Sequence, residues 1–112
     1  MELRDSESLI SRSRANRTVG RRSLGGRLYL TDQRLVFEPH LIDRLVSRGR
    51  VLDVVLTNVA AVDVAPRGAG LFDGGLFRER LRVQLTDGAD ELFVVSSPND
   101  LARGIAEAAK LR

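Results

Sequence analysis

The chain has 112 residues, a net charge of +3, no cysteine and one histidine, His40. That length is one domain, 1–112, large enough for one hydrophobic core without staples. Without cysteine there are no disulfides, thiolate metal sites or thiol nucleophiles, and one histidine cannot build a multi-histidine zinc site. No apolar run approaches the roughly 20 residues needed to cross a bilayer as a helix. The first residues lack the basic-then-apolar pattern of a secretory leader. The expected location is therefore the cytoplasm, with peripheral attachment at the inner face of a membrane as the variant to test.

Charge is unevenly spread. Residues 1–50 hold 11 arginines and 6 acids, whereas residues 51–112 hold 7 basic residues and 9 acids. Between Ser11 and Arg27 lie Arg12, Arg14, Arg17, Arg21, Arg22 and Arg27, with no acid among them. Such a run fits an anionic partner. It equally fits a solvated surface in a chain where 17 of 18 basic residues are arginine.

Taken in order, residues 1–8 are polar and expected to be loose or a single helical turn. Leu9 to Val19 reads as a strand with Leu9, Ser11, Ser13 and Ala15 on one face. Ile10, Arg12, Arg14 and Asn16 lie on the other. Its small and charged residues mark it as an edge or bent strand. Asn16-Arg17-Thr18 matches a glycosylation sequon, set aside because no leader precedes it. Gly20 to Gly26 reads as a glycine-punctuated loop.

Residues 26–38 read as a β-hairpin around Thr31-Asp32-Gln33-Arg34. Pairing Leu30 with Leu35, Tyr29 with Val36 and Leu28 with Phe37 gathers Leu28, Leu30, Leu35 and Phe37 on one face, the core set. Pro39 ends the second strand. His40 to Arg50 is a connection with a helical spacing at Leu41, Ile42, Leu45 and Val46. Val51 to Leu56 and Val59 to Ala65 are strands around a Thr57-Asn58 corner, with Ala60, Val62 and Val64 on one face of the second. Residues 66–78 form a glycine-rich loop bearing Leu71, Phe72, Leu76 and Phe77. These side chains either fold back over the core or reach a membrane or partner.

Leu81, Val83 and Leu85 alternate with polar residues in a half-buried strand. A four-residue Asp87-Gly88-Ala89-Asp90 turn would pair Leu85 with Leu92 and Val83 with Val94. In that register Tyr29 and Phe93 lie opposite the core faces, half exposed and available as an interaction surface. Ser97-Pro98-Asn99-Asp100 starts a helix over about 98–111. Ser97 is placed to accept from the Asp100 amide, and Leu101, Ile105, Ala108 and Ala109 form the apolar face. About seven antiparallel strands and one helix, with no alternating βα units, make a mainly β barrel or sandwich with the helix plugging an open end.

The run Gly26-Arg27-Leu28-Tyr29-Leu30-Thr31-Asp32-Gln33-Arg34-Leu35-Val36-Phe37 resembles the G-x-L-Y-L-T-x-x-R-L-V-F signature of GRAM domains, members of the pleckstrin-homology (PH) superfamily. The Val54–Val62 strand-corner-strand, the Thr86-Asp87-Gly88 turn before Leu92–Val95 and the C-terminal helix fit its order, so the resemblance covers about residues 9–111. It implies a seven-stranded antiparallel barrel of two near-orthogonal sheets, capped by one C-terminal α-helix. It also implies a non-catalytic module that binds anionic membrane lipids or protein partners, with no cofactor. The basic residues around the first two strands, here Arg12, Arg14, Arg21, Arg22 and Arg27, fall where lipid-binding PH domains hold head groups.

No catalytic set assembles: His40 has no acid partner in the pattern, and Gly68-x-Gly70 and Gly74-Gly75 do not have phosphate-loop spacing. The main alternative is a protein-interaction or self-assembling module, as a homo-oligomer, with no lipid affinity. A nucleic-acid binder ranks last, since only five aromatics are present and no stacking platform is evident.

Overall fold

The structure, a computed structural model, describes residues 1–20, 22–40, 51–65 and 79–111. The expected turn at Leu41–Val46, the Leu71, Phe72, Leu76 and Phe77 loop and Arg21 lie outside the described residues. Seven strands run β1 (Leu9–Val19), β2 (Arg22–Thr31), β3 (Arg34–Pro39), β4 (Leu52–Val55), β5 (Val59–Ala65), β6 (Arg80–Leu85) and β7 (Asp90–Val94). Among the described residues one α-helix, α1 (Pro98–Ala108), follows them. The strands form one antiparallel sheet in the order β4-β3-β2-β1-β7-β6-β5. Its end strands, β4 and β5, are joined through the single 3₁₀ turn Leu56–Asn58 at the expected corner and do not close a hydrogen-bonded barrel.

The central hairpin has the expected register: Leu28 faces Phe37, Tyr29 faces Val36 and Leu30 faces Leu35. Leu28, Leu30, Leu35 and Phe37 are all buried in the core, together with Ile105 of the helix. β2 begins earlier than expected, at Arg22, because Arg22 to Gly26 pair with β1 rather than forming a loop. Gly26 explains itself here. Any side chain would drive a Cβ into the Glu38 carbonyl oxygen and within 2.8 Å of the Phe37 ring and the Pro39 Cα, so β2 and β3 can meet only across a glycine.

β1 is an edge over part of its length, as its polar residues suggest: β2 pairs with it from end to end, with an irregularity between Leu9 and Ser11, but β7 pairs only with Asn16, Arg17 and Thr18. Ala15 on the inner face is buried, while Arg12, Arg14 and Asn16 on the outer face are exposed. In β5, a similar irregularity between Val59 and Ala61 leaves Val62 and Val64 on the expected inner face, opposite Val83 and Leu81, but puts Val59 there in place of Ala60, which is exposed.

The β6–β7 hairpin departs from the expected register. Leu81 faces Phe93, Arg82 faces Leu92 and Val83 faces Glu91. The turn is tighter: the Leu85 amide donates to the Ala89 carbonyl at 2.8 Å, leaving Thr86-Asp87-Gly88 as a three-residue loop. Gly88 takes the positive φ of 92° that such a loop requires. The shift is three residues, an odd number, so it reverses the faces of β7. Phe93 is therefore fully buried rather than half exposed, with its ring centroid 5.7 Å from that of Phe37. Tyr29 is half-buried as expected.

The helix starts at Pro98 with Asp100 in its first turn, but the Ser97 side chain makes no capping hydrogen bond; the Ser97 carbonyl accepts from the Leu101 amide instead. Its end falls at Ala108, three residues short of expectation, because the next three residues build a cap. Lys110 adopts φ 57°, its amide donates to the Glu107 carbonyl, and the Leu111 amide donates to the Ala106 carbonyl. Leu111 then packs against the core.

Candidate functional site

The arginines divide into two groups by their partners. Arg82 faces Asp63 directly across β5 and β6 and forms a two-pronged pair with it, its Nε 2.8 Å from Oδ1. That hydrogen bond and charge hold the Asp63 carboxyl below its ordinary value and raise the Arg82 guanidinium. Arg17 continues the inner face of β1, and its Nε reaches Glu91 at 2.9 Å. Arg103 lies 3.8 Å from Asp100 on the helix surface.

Arg34 is the most heavily bonded residue described. It belongs to the hairpin turn, yet its side chain is 8 % exposed. Its Nε donates to Glu7 Oε2 at 2.8 Å and Nη2 to Oε1 at 3.1 Å, a fork on one carboxylate. Nη1 donates to Asp53 at 2.8 Å and Nη2 also to the Glu2 carbonyl at 2.9 Å. The Thr31 hydroxyl accepts from the Gln33 and Arg34 amides. Its single proton goes to Glu7 Oε2 at 2.6 Å, shorter than the alternative contact with the Arg34 carbonyl at 3.2 Å.

Residues 1–8, expected to be loose or a single helical turn, make one turn, with the Glu7 amide donating to the Arg4 carbonyl at 3.1 Å, and lie along the outer face of β3. Val36, between Arg34 and Glu38 on that face, is only 2 % exposed although it points away from the core. This network was not among the expectations from sequence. The available signal was an arginine inside an otherwise apolar hairpin signature, which needs an acid when buried.

The Arg34 fork is the main cause that brings Glu7 down to a pKa of about 2, against its ordinary 4.5, and bonds from Thr31 and the Arg4 amide add to it against the cost of burial. The sign follows from this lowering. Glu7 supports the fold fully above its unfolded value near 4.5, and that support is lost as pH falls toward 2. Thermal unfolding followed from pH 5 to pH 2.5 is therefore expected to lose midpoint more steeply in the wild type than in Glu7→Gln. Equal slopes would remove Glu7 as a source of acid sensitivity.

The second group is Arg12, Arg14, Arg22 and Arg27. All four are exposed, and none has an ion-pair partner among the described residues. Arg14 faces Arg27 directly across β1 and β2, and Arg12 lies two residues along the same face. Like charges directly opposite on a sheet repel. Glu38, the acid opposite Arg27 on β3, is bonded to the Met1 amino group at 3.1 Å. Arg22 lies at the far end of the β1–β2 ladder opposite Val19, away from the other three. Arg12 and Arg14 also border a groove of about 580 Å³ that includes Asn16, Gly26, His40 and Ser96. Of the five arginines expected to act together, the structure thus sets three on one face, sets one apart, and does not describe Arg21.

Among the described residues no helix is long and apolar enough to cross a membrane. No protein-family profile matches the sequence. No curated protein matches it significantly in sequence. Solved structures do match in shape. The N-terminal PH domain of Vps36 superposes with a TM-score of 0.70 at 18 % identity, over 97 % of this chain and 83 % of that one. The hSac2 domain of the human phosphoinositide phosphatase Sac2 gives 0.63 at 17 % identity, over 96 % and 70 %. The C-terminal domain of an unknown protein from Leishmania infantum gives 0.68 at 11 % identity, over 93 % and 85 %. The chain therefore has a pleckstrin-homology-like fold.

Proposed function

We propose that this chain is a non-catalytic binding module of the GRAM type, working in the cytoplasm and docking peripherally on an anionic membrane surface through the β1–β2 arginines. The observation that supports this is the partnerless set. Arg12, Arg14 and Arg27 share one exposed face and repel one another until an anion joins them, whereas Arg17, Arg34, Arg82 and Arg103 each have an acid within 4 Å. A guanidinium fork suits phosphate oxygens, two at a time. The sequence motif of the central hairpin supports the GRAM reading. In the same reading Leu71, Phe72, Leu76 and Phe77, which lie outside the described residues, would supply apolar contact.

The test is co-sedimentation with neutral and phosphatidylserine-containing vesicles at low and physiological salt. A basic residue near an anionic surface contributes about 1 kcal/mol, so Arg12→Ala with Arg14→Ala should weaken binding by roughly thirtyfold. Arg103→Ala, on the helix, should leave it unchanged. Binding that ignores vesicle charge, or that survives the double substitution, would overturn the reading.

A further inference from the structure

The second side of β1 is covered only in part. β2 pairs with it from Leu9 to Val19, but β7 pairs only with Asn16, Arg17 and Thr18. β7 then ends at Val94, and the chain turns at Ser96 and Ser97 into α1, which packs over β5 and β6. Along residues 9–15 the second side of β1 has no strand partner among the described residues. In an antiparallel sheet alternate residues point their N–H and C=O groups to that side, ready to pair with another chain.

The groove of about 580 Å³ lies at this gap. One bank is Arg12 to Asn16, the other is Val94 to Ser96, and Gly26 and His40 border it from the β2 and β3 side. Of these, Arg12 to Ala15 lie where β7 no longer pairs with β1. The Ser13 hydroxyl is buried and has no hydrogen-bond partner among the described residues.

We propose that this open side of β1 takes an extended segment of another protein as an added strand, one that alternates acidic with small apolar residues. Residues directly opposite in a ladder share a face. The exposed outer face offers Arg12 and Arg14, which call for carboxylates. The inner face offers Ser13 and Ala15 beside buried Val95, which call for small apolar or hydroxyl side chains. The seven residues 9–15, at about 3.3 Å each, offer an open side roughly 20 Å long. Leu9 and Ile10, exposed at one end, would gain cover from it. A second copy of this chain fits poorly, since joining two β1 strands would crowd the arginines of both. The proposal stands independently of membrane docking, although it shares two arginines with it.

The probe is a fluorescein-labelled, capped Val-Glu-Val-Glu-Val-Asp-Val peptide, with two controls: the same residues in block order, and versions N-methylated at alternate amides. Anisotropy should register binding, and hydrogen exchange of the whole chain should slow at amides within 9–15. Methylating one alternate set of amides should abolish binding while methylating the other spares it. Arg12→Glu with Arg14→Glu should weaken binding at least tenfold, whereas the lysine versions of both, which keep the fold and the charge, should retain it. Unchanged exchange in 9–15, equal binding of the block-order peptide, or a dimer through β1 that excludes the peptide would each overturn the proposal.

Discussion

Replacing Phe93 by alanine is expected to cost the fold about 3–5 kcal/mol, because a fully buried ring in contact with the core leaves a cavity when removed. For a domain of this size that is a fall of roughly 15–25 °C in Tm. It is also a large share of the roughly 5–15 kcal/mol that holds such a domain together. Leu92→Ala should cost much less, about 1 kcal/mol, since Leu92 is only half-buried on the opposite face of β7. The pair of variants reads out the register. A four-residue turn would place Leu92 inward and reverse the order of the two effects. Differential scanning calorimetry of both proteins decides it.

The second large effect is expected at Arg34. Arg34→Met removes the guanidinium and leaves the Glu7 carboxylate, whose side chain is fully buried, without its main partner. Breaking one side of a buried ion pair typically costs about 3–5 kcal/mol. The lower end applies here, because Asp53, the other acid, is 35 % exposed and can turn to water. Denaturant unfolding measures the loss. The network makes a sharper claim through its double variant: Arg34→Met with Glu7→Gln should recover part of the stability, since no buried charge is then stranded. If the double variant is additively worse, the pair is not coupled in the way its geometry states.

Most of the fold was legible in the sequence because local patterns and global arrangement agree there. The 26–38 hairpin carries a core face on alternate residues, so one register alone satisfies it. The apolar face of α1 at Leu101, Ile105, Ala108 and Ala109 left one way to pack the helix. The β7 register was harder to read for a physical reason. Leu92, Phe93, Val94 and Val95 are apolar without interruption, so alternation chooses neither face. The decision fell to the turn, where Gly88 in the left-handed region closes a three-residue loop. β2's early start was hidden by glycines at 25 and 26 that read as punctuation, although Gly26 serves close strand approach.

The site was legible in composition and not in arrangement. Six arginines without an acid stood out in sequence, yet nothing local separates Arg17, which finds Glu91 across the sheet, from Arg14, which finds another arginine. That sorting comes from partners 74 and 13 positions away in the chain. The Glu7–Arg34 pair spans 27 positions and was invisible for the same reason.

The central claim is that the outer face of β1 and β2 is the face that meets a membrane. The most direct measurement is residue-resolved NMR of the labelled chain with phosphatidylserine bicelles carrying a paramagnetic lipid. Broadening centred on Arg12, Arg14 and Arg27, relieved by salt, is the expected result. Broadening elsewhere on the surface, or none at low salt, would contradict it and leave these arginines to a different partner.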